Sequence, residues 1–282
     1  MPLSPSSSAR PRPPARAPRP ARPRKPGRRW LGWALAGVLL LGLVVYGRYS
    51  AQFNRYARRA YASLRANSLT GHEKTPFRSG YAVHGIDVSA YQGRIDWPLV
   101  AQNQVRFAFI KATEGGTLRD PRFSRNWREA RAAGVFRGAY HYFHPNSDVT
   151  RQADLFTRTV PLGPGDLPPV LDVEHANFHD VAQMRRNVAL WLRLVERHYG
   201  VRPILYSNYG FYKRHLAGHF DKYPLWLAHY EVDQPRLPAS RWIIWQHSDE
   251  SYVPGIRGPV DFNVFQGSFE RLRALRIPPK RP

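Results

Sequence analysis

Residues 168–200, PPVLDVEHANFHDVAQMRRNVALWLRLVERHYG, decide the fold. Two prolines introduce a short apolar run, Val170–Val173, which reads as a buried strand, and the acids Asp172 and Glu174 stand at its end. From Asp180 to Tyr199 the period changes. Val181, Met184, Val188, Trp191, Leu192, Val195 and Tyr199 recur at helical spacing on one face, arginines occupy the other, and Gly200 is a suitable stop. A strand followed by an amphipathic helix is one βα unit. The same alternation extends in both directions, with strands expected at Val83–Val88, Val105–Ala112, Phe136–Phe143, Ile204–Tyr206, Leu225–Ala228 and Trp242–Trp245, and a weaker helical pattern at Arg122–Ala133. Nearly continuous apolar strands argue for parallel pairing. Seven or eight of them in about 200 residues predict an α/β fold, a modified TIM-like βα barrel spanning residues 80–282.

The segment before the barrel has another character. Residues 1–29 hold 9 prolines, 9 Lys+Arg and no acid, which predicts a disordered basic tail. Trp30–Tyr46 (WLGWALAGVLLLGLVVY) is 17 residues without a charge, long enough at about 1.5 Å per residue to cross most of a hydrocarbon core of about 30 Å. No clean small-x-small cleavage site follows it, so it reads as an uncleaved signal anchor in the cytoplasmic membrane, with residues 47–79 as linker. The excess of positive residues before the span predicts a tail inside and the barrel outside. Of the formal charge of +23, residues 1–79 carry +15 and residues 80–282 carry +8, so the basic excess belongs mainly to the tail and gives little support to nucleic-acid binding. The chain has no cysteine, which excludes disulfide frameworks, thiolate nucleophiles and Cys-ligated metals. With 8 Trp, 15 Tyr and 14 Phe, the rest has ample material for a core.

Carboxylates stand at several expected strand ends, where barrel active sites are assembled: Asp87, Glu114, Asp172 and Glu174, with Asp261 near the end of the chain. A single acid there is commonly a helix cap or an ion-pair partner. Asp172 and Glu174, two apart on an expected strand, would share a face, an arrangement suited to general acid catalysis beside an ionised carboxylate and recurrent in glycoside hydrolysis. Aromatic residues gather in the same segments: Tyr91, Tyr140, Tyr142, Phe143, Tyr206, Tyr209, Trp226, Tyr230 and Trp245. Some would present faces and hydroxyls to sugar rings; Phe143 and Trp242 read as core. The pairs His141/His144 and His175/His179 match no metal-site pattern, and no cofactor is expected.

Taken in order, GIDVSAYQGRIDW, FAFIKATEGG, GVFRGAYHYFHP, PPVLDVE, ILYSN, PLWLAHY, WQHS and VPGIRGPVDFN resemble the family 25 glycoside hydrolases, the Chalaropsis-type muramidases, over roughly residues 80–270. The resemblance implies a modified βα barrel with an acidic groove that cleaves the β-1,4 bond between N-acetylmuramic acid and N-acetylglucosamine in peptidoglycan strands. Matched residue by residue, it implies Glu174 as the acid, Asp172 as its partner, and Asp87 and Asp261 as further site carboxylates. Tyr140, Tyr206, Trp226 and Gln246 match groove positions, and Tyr91 joins them as a sugar-facing ring. A non-hydrolytic glycan-binding module is the alternative. The basic tail, the apolar span and the lack of wall-binding repeats depart from many relatives.

Overall fold

A computed structural model describes residues 77–174 and 177–279. The expected tail, membrane span and all but the last residues of the linker lie outside the described residues. Among the described residues no helix is long and apolar enough to cross a membrane.

The strands are β1 His84–Val88, β2 Val105–Glu114, β3 Leu118–Arg119, β4 Phe136–Tyr142, β5 Val170–Asp172, β6 Ile204–Asn208, β7 Leu225–Ala228, β8 Ile244–Ser251 and β9 Val260–Phe265. They pair in the order β1-β9-β8-β7-β6-β5-β4-β2-β3, and β1 also pairs with β2, so the sheet closes into a barrel of eight strands with β3 folded back on β2. Helices α1 Trp97–Gln102, α2 Phe123–Ala132, α3 Val149–Thr159 and α4 Val181–Tyr199 pack outside it, and α5 Phe269–Leu275 follows β9. Their ends obey capping chemistry. Asp180 accepts from the backbone N–H groups of Ala182 and Gln183 at the start of α4, and Gly200 ends that helix at φ 70°. Asp96 and Asp148 cap α1 and α3 in the same way.

The expectation of parallel βα units throughout needs one correction: β9 runs antiparallel to both β8 and β1. A hairpin therefore closes the barrel, and no helix lies between β8 and β9 to cover their outer face. Tyr81 packs there against Trp242 and Trp245, and the Arg78 guanidinium sits 4.9 Å from the centre of the Trp245 ring.

Side chains from alternate positions fill the barrel interior: Val83, Phe107, Phe109, Val170, Ile204, Trp226 and Ile244, with Leu272 of α5 in the same apolar cluster. Phe109 stacks on Trp226 at 4.7 Å. These rings need glycine opposite them. A Cβ on Gly138 would lie 2.3 Å from the Phe109 ring, and one on Gly85 would lie 2.5 Å from Phe107. Gly138→Ala is therefore expected to destabilise the barrel by about 1–3 kcal/mol through overpacking, read as a lower melting temperature in thermal denaturation; an unchanged melt would show that the interior yields.

Candidate active site

The parallel strands bring their C-terminal ends to one mouth. Asp87 on β1 and Asp172 on β5 end there, both more than nine-tenths buried, and Glu174 follows two residues on. Because β9 runs the other way, its first residues reach the same mouth, and Asp261 stands directly across from Asp87 in the β1–β9 ladder. Directly opposed residues of an antiparallel pair share a face, so these two acids point to the same side. The expected shared strand face for Asp172 and Glu174 is corrected: β5 ends at Asp172, and Glu174 stands beyond it. Its root is nevertheless pinned. The Phe143 N–H donates to the Asp172 carbonyl at 3.0 Å, the Val173 N–H donates to the Tyr206 carbonyl at 2.9 Å, and Ser207 Oγ donates to the Val173 carbonyl at 2.7 Å.

Opposing like charges at Asp87 and Asp261 are costly without compensation, and two amides supply it. Gln246 Nε2 and Asn263 Nδ2 each donate to Asp87 Oδ2 at 2.8 Å. Neither amide can turn round. Gln246 Oε1 accepts from the hydroxyls of Tyr206 at 2.8 Å and Tyr230 at 2.5 Å, and Asn263 Oδ1 accepts from Trp226 Nε1 at 2.8 Å, a group that can only donate. Burial first, then nearby charge, pushes three phenols well above their ordinary pKa. For Tyr140 the charges are Asp87, Asp172, Asp261 and Asp120; Tyr206 and Tyr230 respond to Glu174 and Asp87 among others. All three therefore stay protonated as hydrogen-bond donors.

This geometry sorts the matched groove positions. Tyr91 is 67% exposed in the short helical turn Ala90–Gln92 after β1, and Tyr140 is half-buried among the carboxylates. Trp226 and Gln246 are 2% exposed and Tyr206 is 7% exposed, and all three belong to the hydrogen-bond network that holds Asp87. Trp245 is fully buried on the outer side, and Phe143 and Trp242 are core as expected. Sequence reasoning missed Asn263, the role of Tyr230 as a clamp on Gln246, and Asp120, which accepts from the backbone N–H groups of Ala90 and Arg122 and ties two mouth loops together.

Glu114 is held apart from the four acids. The register of β2 against β4 slips at Ala112, a bulge that turns Lys111 and Glu114 to one side. Lys111 Nζ then meets Glu114 Oε2 at 2.6 Å, and His144 Nε2 lies 3.1 Å from Oε1. The His144 hydrogen bond first, and Lys111 against the opposing effect of burial, pull the Glu114 carboxyl from 4.5 to about 2. A depressed carboxyl stabilises the fold above its unfolded pKa and loses that contribution as pH falls through the folded value. Wild type should thus melt above Glu114→Gln at neutral pH, and the gap should close between about pH 4.5 and pH 2; a gap independent of pH would contradict the pairing. The neighbouring His141 is no metal ligand. Both ring nitrogens are engaged, by Thr113 at 2.7 Å and Gln152 at 3.0 Å, and burial lowers its pKa to about 3. Among the described residues no three His, Asp or Glu side chains converge as a metal site.

An eight-stranded α/β barrel whose mouth gathers four carboxylates among protonated phenols is equipped to protonate a leaving oxygen and to stabilise a cationic sugar transition state, which is the work of a glycoside hydrolase. The chain belongs to glycosyl hydrolases family 25, whose family model matches residues 86–256. It is similar to the protein YegX of Escherichia coli K12, with 51% identity over 202 residues, covering 70% of this chain and 74% of that one. Lysozyme M1 of Streptomyces globisporus is 39% identical over 212 residues, 68% and 71% of the two chains. The solved family 25 glycosyl hydrolase from Bacillus anthracis superposes with a TM-score of 0.68 at 31% identity, covering 74% of this chain and all of that one. Membership makes the protein a glycoside hydrolase of a family that includes lysozymes and muramidases, and it supports peptidoglycan hydrolysis.

Proposed function

We propose that this protein is a muramidase that cleaves the β-1,4 bond between N-acetylmuramic acid and N-acetylglucosamine, held at the outer face of the cytoplasmic membrane by residues 30–46. Glu174 donates a proton to the leaving oxygen. Asp172 orients and polarises the 2-acetamido group, whose carbonyl oxygen attacks the anomeric carbon, the substrate-assisted route to retention. Asp87 and Asp261 shape the field in which Glu174 works. The observation that carries this reading is the pinned Asp172–Glu174 segment at a mouth where Asp87 is fixed by two amides that cannot flip. Digestion of purified peptidoglycan followed by mass spectrometry of the released muropeptides tests it. Reducing-end N-acetylmuramic acid is expected. Reducing-end N-acetylglucosamine would reassign the bond, and binding without release would make the protein a glycan-binding module. Cell fractionation tests the anchor: a wholly soluble protein beginning after residue 46 would replace it with a cleaved export signal.

A further inference from the structure

We propose that the end of the barrel opposite the catalytic mouth is a docking surface for anionic lipid headgroups, so that the domain rests on a bilayer with its mouth turned outward. The topology collects cations there from separate parts of the chain. Arg106 stands at the start of β2, Arg131 in the last turn of α2, Arg197 in the last turn of α4 and Lys222 just before β7. Arg271 belongs to α5, whose Leu272 packs into the barrel interior after β9 has returned to that end. All five are exposed. Among the described residues none of them forms an ion pair, whereas Arg158, Arg202 and Arg273 nearby are matched by Asp154, Glu196 and Glu270.

Helix dipoles account for part of this pattern, since a cation in a last turn is favourable, and Arg131 and Arg197 fit that explanation. Arg106 and Lys222 lie outside helices, and Arg271 sits in the first turn of α5, where the dipole opposes it. The opposite end carries the exposed Arg94, Arg119, Arg236 and Arg257, but sets against them Asp87, Asp172, Glu174 and Asp261 together with Glu231, Asp233, Asp249 and Glu250, so acids outnumber these arginines there. An anionic plane therefore attracts one end and repels the other, and both effects impose the same orientation. A lipid surface is favoured over other polyanions by the sequence, in which the uncharged run Trp30–Tyr46 precedes Phe77 by about 30 residues and would keep a bilayer within reach. The choice of a lipid surface rests on the anchor proposed above, whereas the attraction rests on the charges of the barrel, so vesicle binding by the barrel alone is read separately from the anchor and from the hydrolytic reading.

The test uses the soluble barrel, residues 77–282. The Bacillus anthracis structure, covered along its whole length by this fold, indicates that such a barrel folds alone. Co-sedimentation with phosphatidylcholine vesicles, with and without one third phosphatidylglycerol, should show binding to the anionic vesicles only, and the binding should weaken steeply as salt shortens the Debye length. A cation near such a surface is worth about fivefold in partition, so replacing all five by Gln should cost at least about 100-fold. The same change at Arg94, Arg119, Arg236 and Arg257 on the mouth side should cost under about threefold. Melting temperature and hydrolysis should be unchanged in both variants. Orientation is read without the multiple variant, because a chain with no cysteine accepts a single label. A fluorophore on Ala274→Cys should be quenched by nitroxide lipids and one on Arg257→Cys should not. Equal quenching at both sites, equal loss in both variants, or capture by wall polyanions without binding to vesicles would overturn the proposal.

Discussion

Glu174→Gln is expected to lower the turnover of peptidoglycan by at least about 10²-fold while the melting temperature stays unchanged. Gln keeps the size and much of the hydrogen bonding of Glu but carries no transferable proton, and the segment that places residue 174 is held by bonds from the Phe143 N–H and Ser207 Oγ to its backbone carbonyls, which the substitution does not touch. The loss should depend on the leaving group. A sugar alkoxide needs the proton, whereas an aryl glycoside with an acidic phenol departs without it, so the variant should recover most of wild-type activity on such a substrate. Near-normal turnover of peptidoglycan, or an equal deficit on both substrates, would remove Glu174 from the acid role.

The sequence reveals the carboxylates more readily than the device that holds them. Seven barrel strands are legible because each is a near-continuous apolar run bounded by glycine, proline or acid, as parallel strands buried on both faces should be. The eighth, VDFNVF at 260–265, hides because its polar side chains face inward: Asp261 and Asn263 point into the site while Phe262 and Val264 pack outward. Alternation of that kind reads as a half-exposed strand or a loop, and nothing local signals that its direction is reversed. Helix α3 is similarly obscured, because one of its buried positions is Gln152, spent on His141 and the His144 backbone. The amide network lies beyond local patterns altogether. Gln246 and Asn263 reach Asp87 across more than 150 residues of chain, and only barrel closure makes them neighbours. Gln246 therefore reads from sequence as a wall of the groove, although its amide is consumed in fixing a carboxylate.

The second large effect is expected at Asp172, where Asp172→Asn should reduce turnover by about 10²- to 10³-fold, the scale of losing one preorganised electrostatic partner of a charged transition state. Its dependence on substrate should be the reverse of that at Glu174. Departure of an acidic phenol does nothing to steady the acetamido group or the cationic ring that forms beside it, so Asp172→Asn should remain slow on the activated aryl glycoside. Removing the N-acetyl carbonyl from the substrate should cost wild type heavily but add little to the loss already present in the variant, because a residue and the group it orients act as one unit and their deletions are not additive. Replacing the carboxylate by a neutral amide of the same shape should leave the fold intact: the β5 pairings of residue 172 with Tyr142 and Tyr206 run through the backbone. Strict additivity between the Asn variant and the deacetylated substrate would separate Asp172 from the acetamido group. Inverted stereochemistry at the anomeric carbon would then assign the carboxylate to activating water from the other face, and retention would assign it to direct attack on that carbon.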